Sequence, residues 1–214
     1  GHVDGVAQDR GQLGVGNHRR RERGQLATGK LADRGDGRQA IQLVAGQVPC
    51  GALAVPANGT GAAERIGPED SILPLMLPSS VSPDGTSIVT WGRGESSSLL
   101  ESSLITFDVM LLTLKDRQVR PLVHTPFNER NGAVSPDGRW LAYESNASGQ
   151  FEIYVRPFPD VDAGQWQVST TGGIQALWSR NGQELFYIAA DGRLNSVRVD
   201  RSATWSASTP GTVL

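Results

Sequence analysis

The sequence predicts an all-β fold: a partial β-propeller of about three four-stranded blades plus a remnant, preceded by a disordered or weakly structured N-terminal segment. Three observations carry this expectation. A Ser-Pro-Asp-Gly turn recurs at blade-sized intervals. Each copy is followed by a segment that reads as a strand, near-continuously apolar after the second and third copies, and then by further strand-like runs. All thirteen Phe, Trp and Tyr residues lie between Trp91 and Trp205, so the first 90 residues contain none.

The turn comes first. Its copies are Val81-Ser82-Pro83-Asp84-Gly85, Val134-Ser135-Pro136-Asp137-Gly138 and Trp178-Ser179-Arg180-Asn181-Gly182, with the serines 53 and 44 residues apart. A four-stranded blade takes about 40 to 50 residues, so one copy per blade fits. Pro presets φ for the first corner, Asp or Asn tolerates the second and bonds its own backbone, and Gly supplies a positive φ. The chain reverses there, and the flanking segments pair as a hairpin. The third copy exchanges Pro-Asp for Arg-Asn but keeps Asn-Gly, a strong hairpin signal.

The strands follow from the runs after each turn. Trp140 to Tyr143 and Leu185 to Ile188 are near-continuous apolar runs. Such runs suit strands covered on both faces, as inner strands of stacked blades are. A third strand is expected at Phe151 to Val155, with Phe151, Ile153 and Val155 on one face, at Phe107 to Leu112, and at Leu194 to Val199 after the Asp191-Gly192 turn. A short, more polar outer strand is expected at Gln118 to Val123 and at Gln165 to Val168, since a polar edge resists pairing with other chains. The first repeat is lengthened by a Ser/Glu/Leu insertion at Glu95 to Ser103, read as a tolerated surface loop.

Residues 1–52 read differently from 53–214. The first fifty carry ten glycines, no aromatic residue and a basic run, His18-Arg19-Arg20-Arg21-Glu22-Arg23. Such a segment buries too little apolar surface to offset its chain entropy. The basic run reads as a solvated tail. The Gly/Arg/Ala/Gln-rich composition also matches a non-coding frame of GC-rich DNA, so a mistranslated segment is the competing expectation. The chain opens on Gly-His-Val-Asp, without Met or a signal pattern, so a fragment of a longer product is expected.

Bulk properties narrow the partners. A net charge of -2 and a pI near 5.9 argue against nucleic acid, whose phosphates need a basic surface. Cys50 is the only cysteine, which excludes an intramolecular disulfide. No apolar run reaches the roughly 18 residues of a membrane helix.

The Ser-Pro-Asp-Gly turn, the Trp140-Leu141-Ala142-Tyr143 strand and the Ile153-Tyr154-Val155 strand together resemble WD-repeat-like propellers of the TolB type. The stretch from Pro126 to Pro159, with Trp166-Gln167-Val168-Ser169 and Trp178 to Tyr187, is similar to the propeller attached to bacterial receptor-like serine/threonine kinases. The resemblance covers residues 53–214, with Pro56 to Arg65 resembling the end of a preceding blade. It implies an extracytoplasmic or periplasmic sensor or protein-interaction module, part of a kinase. The alternatives are the propeller of a prolyl-oligopeptidase-like serine peptidase and a periplasmic TolB-like scaffold. Closed propellers use about four to eight blades, so missing blades or a protein partner are expected, with oligomerisation in isolation.

The chain itself is not expected to be an enzyme. The kinase Gly-rich loop, strand Lys and His-Arg-Asp loop are absent, as is the Gly-x-Ser-x-Gly elbow of a hydrolase. Gly59-Thr60-Gly61 and Gly92-Arg93-Gly94 are turn-like. His2, His18 and His124 are scattered, and His124 is expected in a loop, solvated. Asp84 and Asp137 are read as turn residues rather than paired acids. Trp140, Trp166 and Trp178 are read as core. Asn58 and Asn146 sit in glycosylation-acceptor patterns too short to weigh. No catalytic, cofactor-binding or metal-ligating residue is assigned.

Overall fold

The structure, a computed structural model, describes residues 41–44, 53–56, 64–66, 76–93, 106–200, 202 and 204–214. The first 40 residues, Cys50, the Gly59–Gly61 stretch and the 95–103 insertion lie outside the described residues.

Three four-stranded antiparallel sheets follow one another along the chain, each with its strands in sequence order. The first blade is β4 (Met76–Val81), β5 (Ser87–Arg93), β6 (Phe107–Thr113) and β7 (Val119–Val123). The second is β8 (Glu129–Val134), β9 (Trp140–Ser145), β10 (Glu152–Pro157) and β11 (Trp166–Gln167), with a 3-10 turn at Val161–Ala163 before β11. The third is β12 (Gly173–Trp178), β13 (Glu184–Ala189), β14 (Leu194–Arg198) and β15 (Gly211–Thr212). A smaller sheet, β1 (Ile41–Val44), β2 (Leu53–Pro56) and β3 (Glu64–Arg65), precedes them. Here β1 pairs with β2 from Ile41 opposite Pro56 to Val44 opposite Leu53. Strand pairing therefore reaches across residue 53 into the segment before it.

The three repeated turns share one hydrogen-bond set. Gly85, Gly138 and Gly182 have φ of 73°, 74° and 69°, which only glycine adopts without strain. Their N–H groups donate to the carbonyls of Ser82, Ser135 and Ser179 at 2.8, 2.9 and 2.9 Å. Each serine hydroxyl donates to the Asp84, Asp137 or Asn181 side chain at 2.5, 2.6 and 2.8 Å. The same hydroxyl accepts the N–H five residues on, from Ser87, Trp140 and Glu184. The serine is thus as much a requirement as the glycine. The turns also stack from blade to blade. A Cβ added at Gly138 would lie 3.7 Å from the Pro83 ring, and one at Gly182 would lie 3.6 Å from Pro136.

Stacking of the blades makes the core. Val89, Val109 and Leu111 of the first blade pack against Leu141, Tyr143 and Tyr154 of the second. From its other face, Trp140, Ala142, Ile153 and Val155 pack against Leu185, Tyr187, Ala189 and Val197 of the third. Ile66, after β3, packs on Ile88 and Leu112. Burying one such side chain stabilises by about 1.5–3 kcal/mol. Ile153 and Val155 share a face as expected, and Tyr154 on the opposite face is buried as well, because β10 lies between two blades.

The third blade departs from expectation. Only Leu185, Tyr187 and Ala189 of β13 are buried, while Phe186 and Ile188 are partly exposed. The run was expected to be covered on both faces. Among the described residues no sheet stacks on its outer face.

Candidate functional site

Among the described residues four carboxylates are buried, Asp108, Glu129, Glu144 and Glu152. Glu144 is the best satisfied. Its oxygens accept from Arg130 Nε at 2.6 Å, Asn131 Nδ2 at 2.7 Å and the Gln175 N–H at 2.7 Å. The Arg130 guanidinium also lies 3.8 Å above the Phe151 ring. Each inner strand is irregular at this level, with register shifts after Pro78, Arg130 and Ile174. Asn131 and Gln175 adopt φ of 54° and 57° in the shifts of β8 and β12. These bulges aim the Asn131 amide and the Gln175 N–H at one carboxylate, which joins the second blade to the third. Glu152 accepts from Gln150 Nε2 at 2.7 Å, from the Gly172 N–H at 2.8 Å and from the Ser169 hydroxyl. That set ties the crossover between blades to β10.

Glu129 is less well provided. One oxygen accepts from Thr125 Oγ1 at 2.6 Å and Ser145 Oγ at 3.1 Å, and the other has no hydrogen-bond partner. Burial raises its pKa above the usual carboxylate range, the two hydroxyls oppose that, and the Asp108 charge adds to it. His124 Nδ1 lies 2.8 Å from Asp108 Oδ2. The expectation of a merely solvated His124 is corrected: it closes onto a buried carboxylate at the top of the first blade. The crossover between them is held closely. The Phe127 N–H donates to Thr125 Oγ1, Asn128 N–H to Asn146 Oδ1, and Phe107 N–H to Asn128 Oδ1.

The other feature is the outer face of the third blade. Leu177 is 67% exposed, Val213 47% and Leu214 82%. Leu177 sits across from Phe186, and Ile188 across from Leu194. Leu194 exchanges backbone hydrogen bonds with the Val213–Leu214 segment. The positions of β5 and β9 equivalent to Phe186, Val89 and Ala142, are fully buried beneath the next blade. An open face at the end of an incomplete array was expected from the blade count, and the structure shows that Leu177, Phe186 and Ile188 lie on it.

Asp84 and Asp137 lie in stacked turns, and each spends its carboxylate on hydrogen bonds inside its own turn. The Ser82 hydroxyl, then the Thr86 N–H, hold the Asp84 carboxyl below the usual range. Trp140, Trp166, Trp178 and Trp205 form one packed cluster, with ring centroids of Trp205 at 5.3, 6.5 and 6.0 Å from the other three in that order. Trp178 Nε1 donates to the Ala133 carbonyl at 2.9 Å, which fixes the third blade on the second. Asn146 spends its side-chain oxygen on the crossover. His2, His18 and Asn58 lie outside the described residues. Among the described residues no group of three His, Cys, Asp or Glu is placed to hold a metal ion, and no helix is long and apolar enough to cross a membrane.

Solved structures share this architecture. A putative TolB from Agrobacterium tumefaciens matches with a TM-score of 0.60 and 16% identity over 83% of this chain and 64% of that one. TolB from Acinetobacter baumannii matches with a TM-score of 0.56 and 16% identity, over 82% of this chain and 41% of that one. A puromycin-hydrolyzing peptidase of Mycobacterium tuberculosis matches with a TM-score of 0.57 and 17% identity, over 87% of this chain and 30% of that one. The chain thus spans less than two thirds of each of these proteins. No protein-family model and no curated protein matches it. Among the described residues the fold is a TolB-type β-propeller stack of three four-stranded blades. These likenesses speak to the fold alone.

Proposed function

We propose that this chain is a non-catalytic protein-interaction module and that it engages its partner through the outer face of the third blade. The exposed row of Leu177 beside Phe186 and Ile188 carries this reading. Apolar surface of this kind is worth about 25 cal/mol per Å² when it leaves water. At the two inner interfaces the same face is sealed by a neighbouring sheet, so a β-sheet surface is the matching partner. An extracytoplasmic setting beside a receptor-like kinase domain follows from the sequence resemblance.

The test is site-specific photocrosslinking of the full chain in the cell that makes it. A photoreactive side chain at Leu177 should capture protein, and one at the exposed Lys115 of the first blade should not. Equal yields at the two positions would refute the reading. A second reading, the gating propeller of a serine peptidase, draws on the match to the puromycin-hydrolyzing peptidase. Flanking DNA separates them: a downstream Gly-x-Ser-x-Gly domain favours the peptidase, and an upstream kinase domain with a membrane helix favours the sensor.

A further inference from the structure

From the geometry of the third blade we infer that its outer face pairs with the same face of a second copy of this chain. The inference rests on the reading above and names the partner. Registers across the sheet set Leu177 beside Phe186, Phe186 beside Ser196 and Ser196 beside Gly211. The face therefore runs large, large, small, small across its four strands. A twofold axis running along the strands, between β13 and β14, turns this row onto itself. It sets Phe186 over Ser196 of the second copy and Leu177 over its Gly211. Nothing lies within 4 Å of a Cβ added at Gly211, so the space above it is open to the Leu177 side chain of the second copy.

Charge follows the same symmetry. Glu184 and Arg198 are directly opposite in the register, at the turn end of the face. Neither side chain hydrogen-bonds or ion-pairs with another described residue. The same axis places Glu184 against Arg198 of the second copy, twice over. At the other end Ile188 meets Leu194. An isologous interface must be self-complementary in this way, with an apolar centre and a charged rim. The turn at this end also differs from the inner ones. Arg180 stands where Pro83 and Pro136 receive the glycine of the next turn.

The test is the mass of the purified full chain by light scattering and sedimentation, over a range of concentrations. The expected mass is twice 22.8 kDa. Gly211→Leu puts a large side chain into that space, where an added Cβ meets nothing of its own chain within 4 Å. It should weaken the dimer at least tenfold while the β-sheet circular dichroism of the folded chain stays unchanged. E184R alone and R198E alone set like charges together and should each weaken it. Mixing E184R with R198E turns every contact into an opposite pair and should restore dimers. A wild-type chain that is monomeric at every concentration, or a dimer indifferent to G211L and to the charge swaps, overturns the inference. In either case capture of a different protein at position 177 leaves the interaction reading standing, and no capture removes it as well.

Discussion

Replacing Glu144 with Ala tests how the second and third blades are joined. The carboxylate is fully buried, and its three donors come from β8 and β12. The substitution leaves those donors without an acceptor. Leaving a buried donor unsatisfied costs about 1–3 kcal/mol, more when it is charged. Arg130 keeps a side chain 31% exposed, and Gln175 is exposed, so water recovers part of the loss at two of the three. Taking the low end for each gives about 3 kcal/mol, in the range of about 3–5 for breaking a buried pair. Urea unfolding of E144A beside the wild type reads this directly. Glu144→Gln keeps the volume and one acceptor oxygen, and should lose about half as much. In the double variant with Arg130→Ala the losses should fall short of additive, because one contact is counted twice. A loss below about 1 kcal/mol for E144A would show that the bulged strands are held by packing alone, and the account of the network would be wrong.

Two other outcomes follow from the structure. Gly132 of β8 faces the first blade, and an added Cβ would lie 2.7 Å from Val89 Cγ1 and 3.1 Å from Val109 Cγ1. Gly132→Ala should therefore destabilise by about 1–3 kcal/mol through overpacking, and a neutral melt would contradict the tight stacking of blades one and two. Glu129→Gln should alter the pH dependence of stability. Because burial raises the folded-state pKa of Glu129 above its ordinary 4.5, its contribution is full below that pH and is lost as pH rises through the folded value. The Gln variant should gain on the wild type in urea unfolding as pH rises above 4.5, whereas parallel profiles would sink the assignment.

Much of the fold was legible because its punctuation is local. Ser82-Pro83-Asp84-Gly85 and its copies make their hydrogen bonds within six residues, so the turn chemistry can be read without knowing what packs nearby. Two features needed the fold. His124 looked solvated because its partner, Asp108, lies 16 residues away on another strand. Nothing in the sequence singles out Glu129, because only the fold removes it from water and brings Asp108 near enough to act on it.

The sequence by itself determined the hairpin turns, the strands and the number of full blades, since each depends on backbone preferences and on apolar periods of a few residues. Only the tertiary structure decided which apolar faces are sealed. Phe186 and Ala142 occupy equivalent places after their turns, yet Ala142 is fully buried and Phe186 is not. Burial depends on what stacks against a strand, and the third blade has no described neighbour on that side. The same cause left the row from Leu177 to Gly211 open to a second molecule.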